Sequence, residues 1–165
     1  MKIRELILSD IPSLTSLAQK TYINTFAHTM TKDELQDALN SRSESYFRSI
    51  MNKDTVLVAL DRDTLVGFIQ FGKVDYDSVK ATDKNIKLDK IYVDGKYQGK
   101  GIGKKLMEAM LKHKRLATIN HIYLDVFAEN EKATRLYEQY GFRVVGKTPF
   151  KIKGKVVGYD LLMKK

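Results

Sequence analysis

The chain has 165 residues, enough for one domain with its own core, and its 43% hydrophobic content with no apolar run near ~20 residues points to a soluble globular protein rather than a membrane-spanning one. Cysteine is absent, which excludes disulfides, thiolate metal sites and a cysteine nucleophile together. The 29 Lys and Arg against 20 Asp and Glu, net +9, suggest an anionic partner, be it nucleic acid, a membrane surface or a phosphorylated cofactor.

The opening MKIRELILSD alternates and then turns acidic, without the long apolar segment of a secretory leader, so a cytoplasmic protein is expected. KIRELIL predicts a strand. Asp10 is placed as a helix N-cap with Pro12 in the first turn, and Ile11, Leu14, Leu17, Ala18 and Tyr22 recur at helical spacing. TKDELQDAL starts a second helix, with Thr31 as cap and Glu34 completing a capping box, and the helix is expected to continue through Tyr46, Phe47 and Ile50. TVLVALD and TLVGFIQFGKV read as a hairpin joined at Asp61-Arg62-Asp63, and IKLDKIYV as a third strand. A helix is predicted from Ile102 to about Thr118, then a strand HIYLDVF, then a helix NEKATRLYEQYGF ending at Gly141, a good C′ residue. RVVGKTPF and KVVGYDLLMKK close the chain as strands. No repeat or linker interrupts this order, so a single α/β domain over residues 1–165 with a mixed sheet is expected.

The segment YVDGKYQGKGIGKKL, residues 92–106, runs from a strand through glycines into a helix N-terminus. Such a corner suits an anion, because free N–H groups point outward and the helix dipole favours negative charge. Gly99, Gly101 and Gly103 alternate with Lys100 and Ile102, which allows successive N–H groups to form a concave nest. A Walker loop does not fit: Gln98 stands where its first glycine belongs, and Lys105 follows Lys104. A dinucleotide loop fits Gly101 and Gly103 and gains from Asp125 further on, but meets Leu106 at its third glycine and has too long a loop from Val93 to Gly99.

QGKGIG matches the pattern Q/R-x-x-G-x-G/A at Gln98, Gly101 and Gly103, and VFAENEKATRLYEQYGF carries Asn130, Ala133, Tyr137, Gly141 and Phe142. Together these resemble the GNAT superfamily of N-acetyltransferases over nearly the whole chain. TYINTFAHTMTKDELQDAL with YQGKGIGKKLME is similar to the bacterial PaiA-type spermidine/spermine N-acetyltransferases. The resemblance implies a mixed, mostly antiparallel, twisted sheet flanked by helices, and acetyl-CoA as cofactor with coenzyme A as product. It implies cofactor contacts from Ile91, Tyr92 and Val93 at a splayed strand end, from the loop Gln98, Gly99, Lys100, Gly101, Ile102, Gly103 and Lys104, and from Asn130 and Ala133. Tyr137 matches the family's general acid; a phenol with an ordinary pKa near ~10 stays protonated at neutral pH and can donate to a leaving thiolate. As an aromatic at helical spacing with Leu136 and Tyr140, it also reads as a core residue.

The expected reaction is direct attack in a ternary complex by a primary amine of a small acceptor, with a polyamine such as spermidine or spermine leading and an amino acid, peptide or protein N-terminus as the alternative; Asp33, Glu34, Asp37, Asp75 and Asp77 offer local carboxylates for a polyamine. The acids of the TMTKDELQD stretch equally suit a helix first turn. The base is open. The family often carries an acid two positions before Asp89, where this chain has Lys87; Asp89, His28, Glu34, Tyr76 and a relayed water are the alternatives. His28, His113 and His121 lack metal-ligand spacing, so no metal is expected. Expected partners are a small-molecule amine, with neither nucleic acid nor membrane, in a monomer or homodimer. Two other readings are a basic nucleic-acid-binding module built on Lys147, Lys151, Lys153, Lys155, Lys164 and Lys165, for which no recognition motif is present, and an acetyl-CoA-binding protein without catalysis, against which Tyr137 argues.

Overall fold

The computed structural model describes residues 1–152 and 155–165, without the side chains of residues 29, 151, 152, 155 and 157. In chain order the elements are β1 (Lys2–Glu5), α1 (Ile11–Phe26), α2 (Lys32–Asn40), α3 (Glu44–Ile50), β2 (Thr55–Asp61), β3 (Thr64–Gly72), β4 (Asn85–Val93), α4 (Ile102–Leu111), β5 (His121–Phe127), α5 (Glu131–Gln139), β6 (Arg143–Ile152) and β7 (Lys155–Lys164). They fold as two compact units, Met1–Gly72 with Lys90–Ala117, and Lys73–Asp89 with Thr118–Lys165. Among the described residues no helix is long and apolar enough to cross a membrane.

The first unit holds β1, β2 and β3 in that spatial order and the second half of β4. Leu57 and Val58 of β2 face Ile69 and Phe68 of β3 in an antiparallel register. Gly67 is the close-packing point of this unit: a Cβ there would stand 3.0 Å from the Tyr92 carbonyl and 3.3 Å from both Ile102 and Leu106 of α4. On the α1 side, Leu14, Ala18, Phe47, Val58 and Phe68 form a buried core with Tyr92 packed against it.

The second unit holds the first half of β4, then β5, β7 and β6 in that spatial order. Its pairs are antiparallel except β4 with β5, which run parallel from Asn85–His121 to Lys87–Tyr123. That parallel ladder ends at Lys87, so Leu88 and Asp89 have no pairing partner on β5. Val74, Tyr123 and Leu162 form a small core under Tyr76 and Val79 of the β3–β4 loop.

Several local expectations change. The strand from Lys2 stops at Glu5. Asp10 occupies the N-cap position of α1 as expected but makes no side-chain cap bond: its carboxylate takes the Ile7 N–H at 3.0 Å and two bonds from Arg4 at 2.6 and 2.9 Å, which close the preceding 3-10 turn. The predicted long second helix is two helices, because Ser43 accepts from Tyr46 N and starts α3 afresh. The helix from Ile102 ends at Leu111 rather than Thr118, where His113 Nδ1 accepts from Arg115 N and begins a 3-10 turn. The hairpin turn uses Arg62 and Asp63, with Arg62 at φ 54°.

Candidate active site

In the first unit, β4 ends at Val93 and Asp94 caps the 3-10 turn Gly95–Tyr97 by accepting from Lys96 N at 3.0 Å, while Lys20 pairs with the same carboxylate at 2.8 Å. The Gln98 amide donates to the Val93 carbonyl, tying the loop back to the strand. Gly99 and Gly101 sit at φ 77° and 74°, conformations that L side chains adopt only under strain. Gly101 is the N-cap of α4 and gives it no side-chain cap, so its first N–H groups have no side-chain acceptor. A Cβ built at Gly99, Gly101 or Gly103 meets nothing within 4 Å. Lys100 lies over the Tyr97 ring at 4.7 Å, and Lys104 and Lys105 are exposed in the first turn of α4. Bare N–H groups, side-chain-free approach and lysines make a corner into which a diphosphate fits.

Tyr92, on the strand leading into this corner, is held from a distance that no local pattern shows. Arg42, in the turn after α2, donates to the Tyr92 hydroxyl at 3.2 and 3.3 Å, donates to the Ala38 carbonyl at 2.8 Å, and lies 3.7 Å from the centre of the Tyr22 ring. Fifty residues separate Arg42 from Tyr92, which is why the sequence alone does not reveal the pair.

His28 is exposed just after α1. Glu34 takes the Thr31 N–H at 2.8 Å while Thr31 Oγ1 accepts from Glu34 N, so its carboxylate serves the start of α2. Asp33 and Asp37 are exposed on the same helix.

In the second unit, Asn130 caps α5, its Oδ1 accepting from Ala133 N at 3.2 Å, so its amide nitrogen is the group left for a ligand. The helix ends in a Schellman motif: Phe142 N donates to the Tyr137 carbonyl, Gly141 N donates to Glu138, and Gly141 has φ 84°. The Tyr137 ring packs edge-on against Phe142 with centroids 5.9 Å apart and is buried. The ring thus packs as a core residue would, and the general-acid reading concerns only the hydroxyl.

Lys87 sits at the middle of a charged network. Its ammonium lies 2.9 Å from Asp75, 3.3 Å from Asp89 and 3.6 Å from Asp125, and 4.5 Å from the centre of the Tyr76 ring. Burial pulls the ammonium pKa down, but Asp125, Asp89 and Asp75 outweigh it and hold Lys87 above its ordinary value. The Tyr76 hydroxyl donates to Asp125; burial first and then that carboxylate push its pKa far up, so Tyr76 keeps its proton and is unsuited to act as a base. Asp89, another of the alternatives, pairs with Lys87. Asp160 of β7, which sequence reasoning passed over, is pushed up to about 6, by burial and by Asp125, with Lys87 opposing.

The histidines stand apart: His113 meets Glu5 at 3.0 Å, and His121 stacks edge-on with Tyr123. Of the lysines that a nucleic-acid patch would need, Lys153 lies outside the described residues, as do the side chains of Lys151 and Lys155; Lys147 covers the Tyr159 ring and Lys165 donates to the Tyr140 carbonyl.

A profile of the acetyltransferase (GNAT) family matches residues 11–142. The chain belongs to this family. Over 88 residues it is 39% identical to the spermine/spermidine N(1)-acetyltransferase of Bacillus subtilis strain 168, a match covering 52% of this chain and 57% of that protein. It is 33% identical over 111 residues to the mycothiol acetyltransferase of Nocardiopsis dassonvillei, covering 66% of this chain and 32% of that protein. The GNAT chain thus spans little more than half, or less, of the length of these curated relatives. Among solved structures it shares its fold with the PaiA N-acetyltransferase of Thermoplasma acidophilum in complex with coenzyme A, at a TM-score of 0.78 and 21% identity over 99% of this chain and 97% of that one. The yncA protein of Salmonella typhimurium, solved with its cofactor acetyl-CoA, aligns at a TM-score of 0.73 and 21% identity over 100% of this chain and 92% of that one. Acetyl-CoA is the co-substrate of GNAT enzymes, and the mixed seven-stranded α/β architecture expected from the sequence is theirs.

Proposed function

We propose that this GNAT protein transfers the acetyl group of acetyl-CoA to a primary amine of a small acceptor. The observation that carries the reading is the glycine corner before α4: an uncapped helix N-terminus behind three glycines whose Cβ directions are open. In this reading the N–H groups from Gly99 to Lys104 receive the pyrophosphate, with Lys100 and Lys104 neutralising charge. Backbone groups of Ile91, Tyr92 and Val93 align the pantetheine arm, and the amide nitrogen of Asn130 and the first turn of α5 at Ala133 contact it as well. When bound, acetyl-CoA supplies the thioester that the amine attacks. Tyr137 holds a proton at Oη for the departing sulfur, and no residue of the chain becomes acylated.

The acceptor we propose is a polyamine such as spermidine. Similarity to the Bacillus spermine/spermidine enzyme supports it, and so do the exposed Asp33 and Asp37. The Glu34 carboxylate is already bonded at the helix start. A chain of net +9 repels a polycation overall, so local carboxylates must do the binding.

The corner is tested by Gly103→Glu. Gly103 lies in the first turn of α4 with open space around it, so the variant should fold while placing bulk and negative charge where the pyrophosphate goes. Acetyl-CoA should raise the melting temperature of the parent protein and not of the variant. Equal stabilisation of both removes the corner from the site.

A further inference from the structure

Register places Asp160 on one face of the second unit's sheet. Directly paired strand residues share a side, and residues two apart alternate back to it. Asp160 faces Phe127 across β5 and Thr148 across β6, while Leu162 faces Asp125 and Lys164 faces Tyr123. Lys87 pairs with Tyr123 on the other side of β5. One surface therefore carries Asp160, Asp125 and Lys87, with Asp89 beside Lys87, and the β3–β4 loop brings Asp75 and Tyr76 onto it. Also on this side among the described residues are His121, paired with Asn85 and edge-on to Tyr123, then Tyr123 with Lys164 over its ring, and Arg143 opposite Lys164, while Lys80 of the β3–β4 loop lines the same cavity as Tyr123 and Lys164.

Within this set the roles differ. Asp75, Asp89 and Asp125 are committed to Lys87, and Asp125 also to Tyr76. Asp160 is half-buried and makes no hydrogen bond or ion pair among the described residues. It stands across from Phe127, three residues before Asn130, and the Ala128 N–H donates to the carbonyl of its neighbour Tyr159. The chain thus holds an uncommitted carboxylate close to the end of β5, on a surface whose other carboxylates already have a cation.

We propose that Asp160 takes the proton from the acceptor's ammonium group, with Lys87 and Asp125 tuning it through their charges. This rests on the amine-acetylation reading. The step is a transfer from R–NH3⁺ to the carboxylate, giving R–NH2 and a neutral Asp160 that later returns its proton to water. An alkylammonium titrates near ~10.4 and an ordinary aspartate near ~3.9, so the transfer is normally uphill by about 6.5 pKa units. With Asp160 at about 6 the gap narrows to about 4, which brings the base closer to its working pH. Lys87 limits that rise: without its positive charge Asp160 would titrate higher still.

The test is the pH dependence of kcat/KM for two probes, spermidine and n-butylamine, read as free-thiol release by the full chain. The parent profile should steepen below a break near pH 6 with both amines. Asp160→Asn should lose that break and lose activity at pH 7–8 by about 10²-fold or more, while acetyl-CoA still raises its melting temperature. Asp160→Glu should restore a break, and Lys87→Met should move it upward; a merely structural role for either residue would lower stability and leave the break in place. A break near pH 6 that survives in folded Asp160→Asn, or activity within a few fold of the parent, overturns the assignment of Asp160 alone. A parent protein that releases no thiol with any primary amine overturns the acetylation reading and this one with it.

Discussion

Replacing Tyr137 by Phe removes one oxygen and leaves the ring that closes α5 against Phe142. If the hydroxyl supplies the leaving-group proton, Tyr137→Phe should lower kcat by ~10²–10⁴ with little change in acetyl-CoA binding. A loss of only a few fold in a stable variant would leave Tyr137 with packing alone. Gly103 gives the complementary case. In the first turn of α4 a glycine is a poorer helix former than alanine, and nothing lies where the methyl group would go. Gly103→Ala should therefore stabilise the free protein by about 0.5–1 kcal/mol while weakening acetyl-CoA binding, as titration calorimetry can read. A residue that costs stability and opens space is explained by what approaches it. Asp160 makes a third test by its sign. Its folded pKa, about 6, lies above the unfolded value, so the carboxyl is neutral in both states below about pH 3.8 and its ionisation weakens the fold as pH rises through about 6. Asp160→Asn should therefore gain stability at pH 7–8 and none at pH 3.5. The gain should be no more than about 1 kcal/mol, since solvent reaches and screens the group.

At the scale of elements, α4 is positioned by Gly67 as much as by its own apolar face. Ile102 and Leu106 come within 3.3 Å of where a Cβ would stand, and the Tyr92 carbonyl within 3.0 Å. Gly67→Val should push α4 and β4 apart, destabilising the protein by about 1–3 kcal/mol and weakening acetyl-CoA binding together. Unchanged affinity in a destabilised variant would separate the two roles. The elements themselves were largely legible: apolar, β-branched runs flanking a short loop gave β2 and β3, the Thr31–Glu34 box marked the start of α2, and Gly141 marked the end of α5. What misled was local chemistry with two uses. Asp10 has the residue type of an N-cap, but Arg4 six residues before it recruits the carboxylate to the preceding turn. Ser43 and His113 restart and end helices inside apolar periodicities that run on unbroken.

At the scale of the whole molecule, the glycine corner could be read from one continuous segment, because backbone conformation and helix polarity are local. The Lys87 network could not. Its members come from the β3–β4 loop, β4 and β5, with Asp160 of β7 on the same face, and only strand register assembles them. In the sequence Lys87 is merely a departure from an acidic position. In the structure it is the cation around which three aspartates gather. Net charge enters at this scale too. With +9 on the chain, binding of spermidine through local carboxylates should weaken as salt rises, since exposed pairs are screened over ~10 Å at 0.1 M, whereas n-butylamine should respond much less. Equal salt dependence for the two amines would argue against a polyamine acceptor while leaving acetyl transfer in place. The most direct test of that transfer is to incubate the protein with acetyl-CoA and spermidine, follow thiol release and identify the amine product by mass spectrometry. The account predicts saturable, enzyme-dependent thiol release matched one-to-one by N-acetylated amine. Binding of acetyl-CoA with no acetylated product from spermidine or any other primary amine would contradict it.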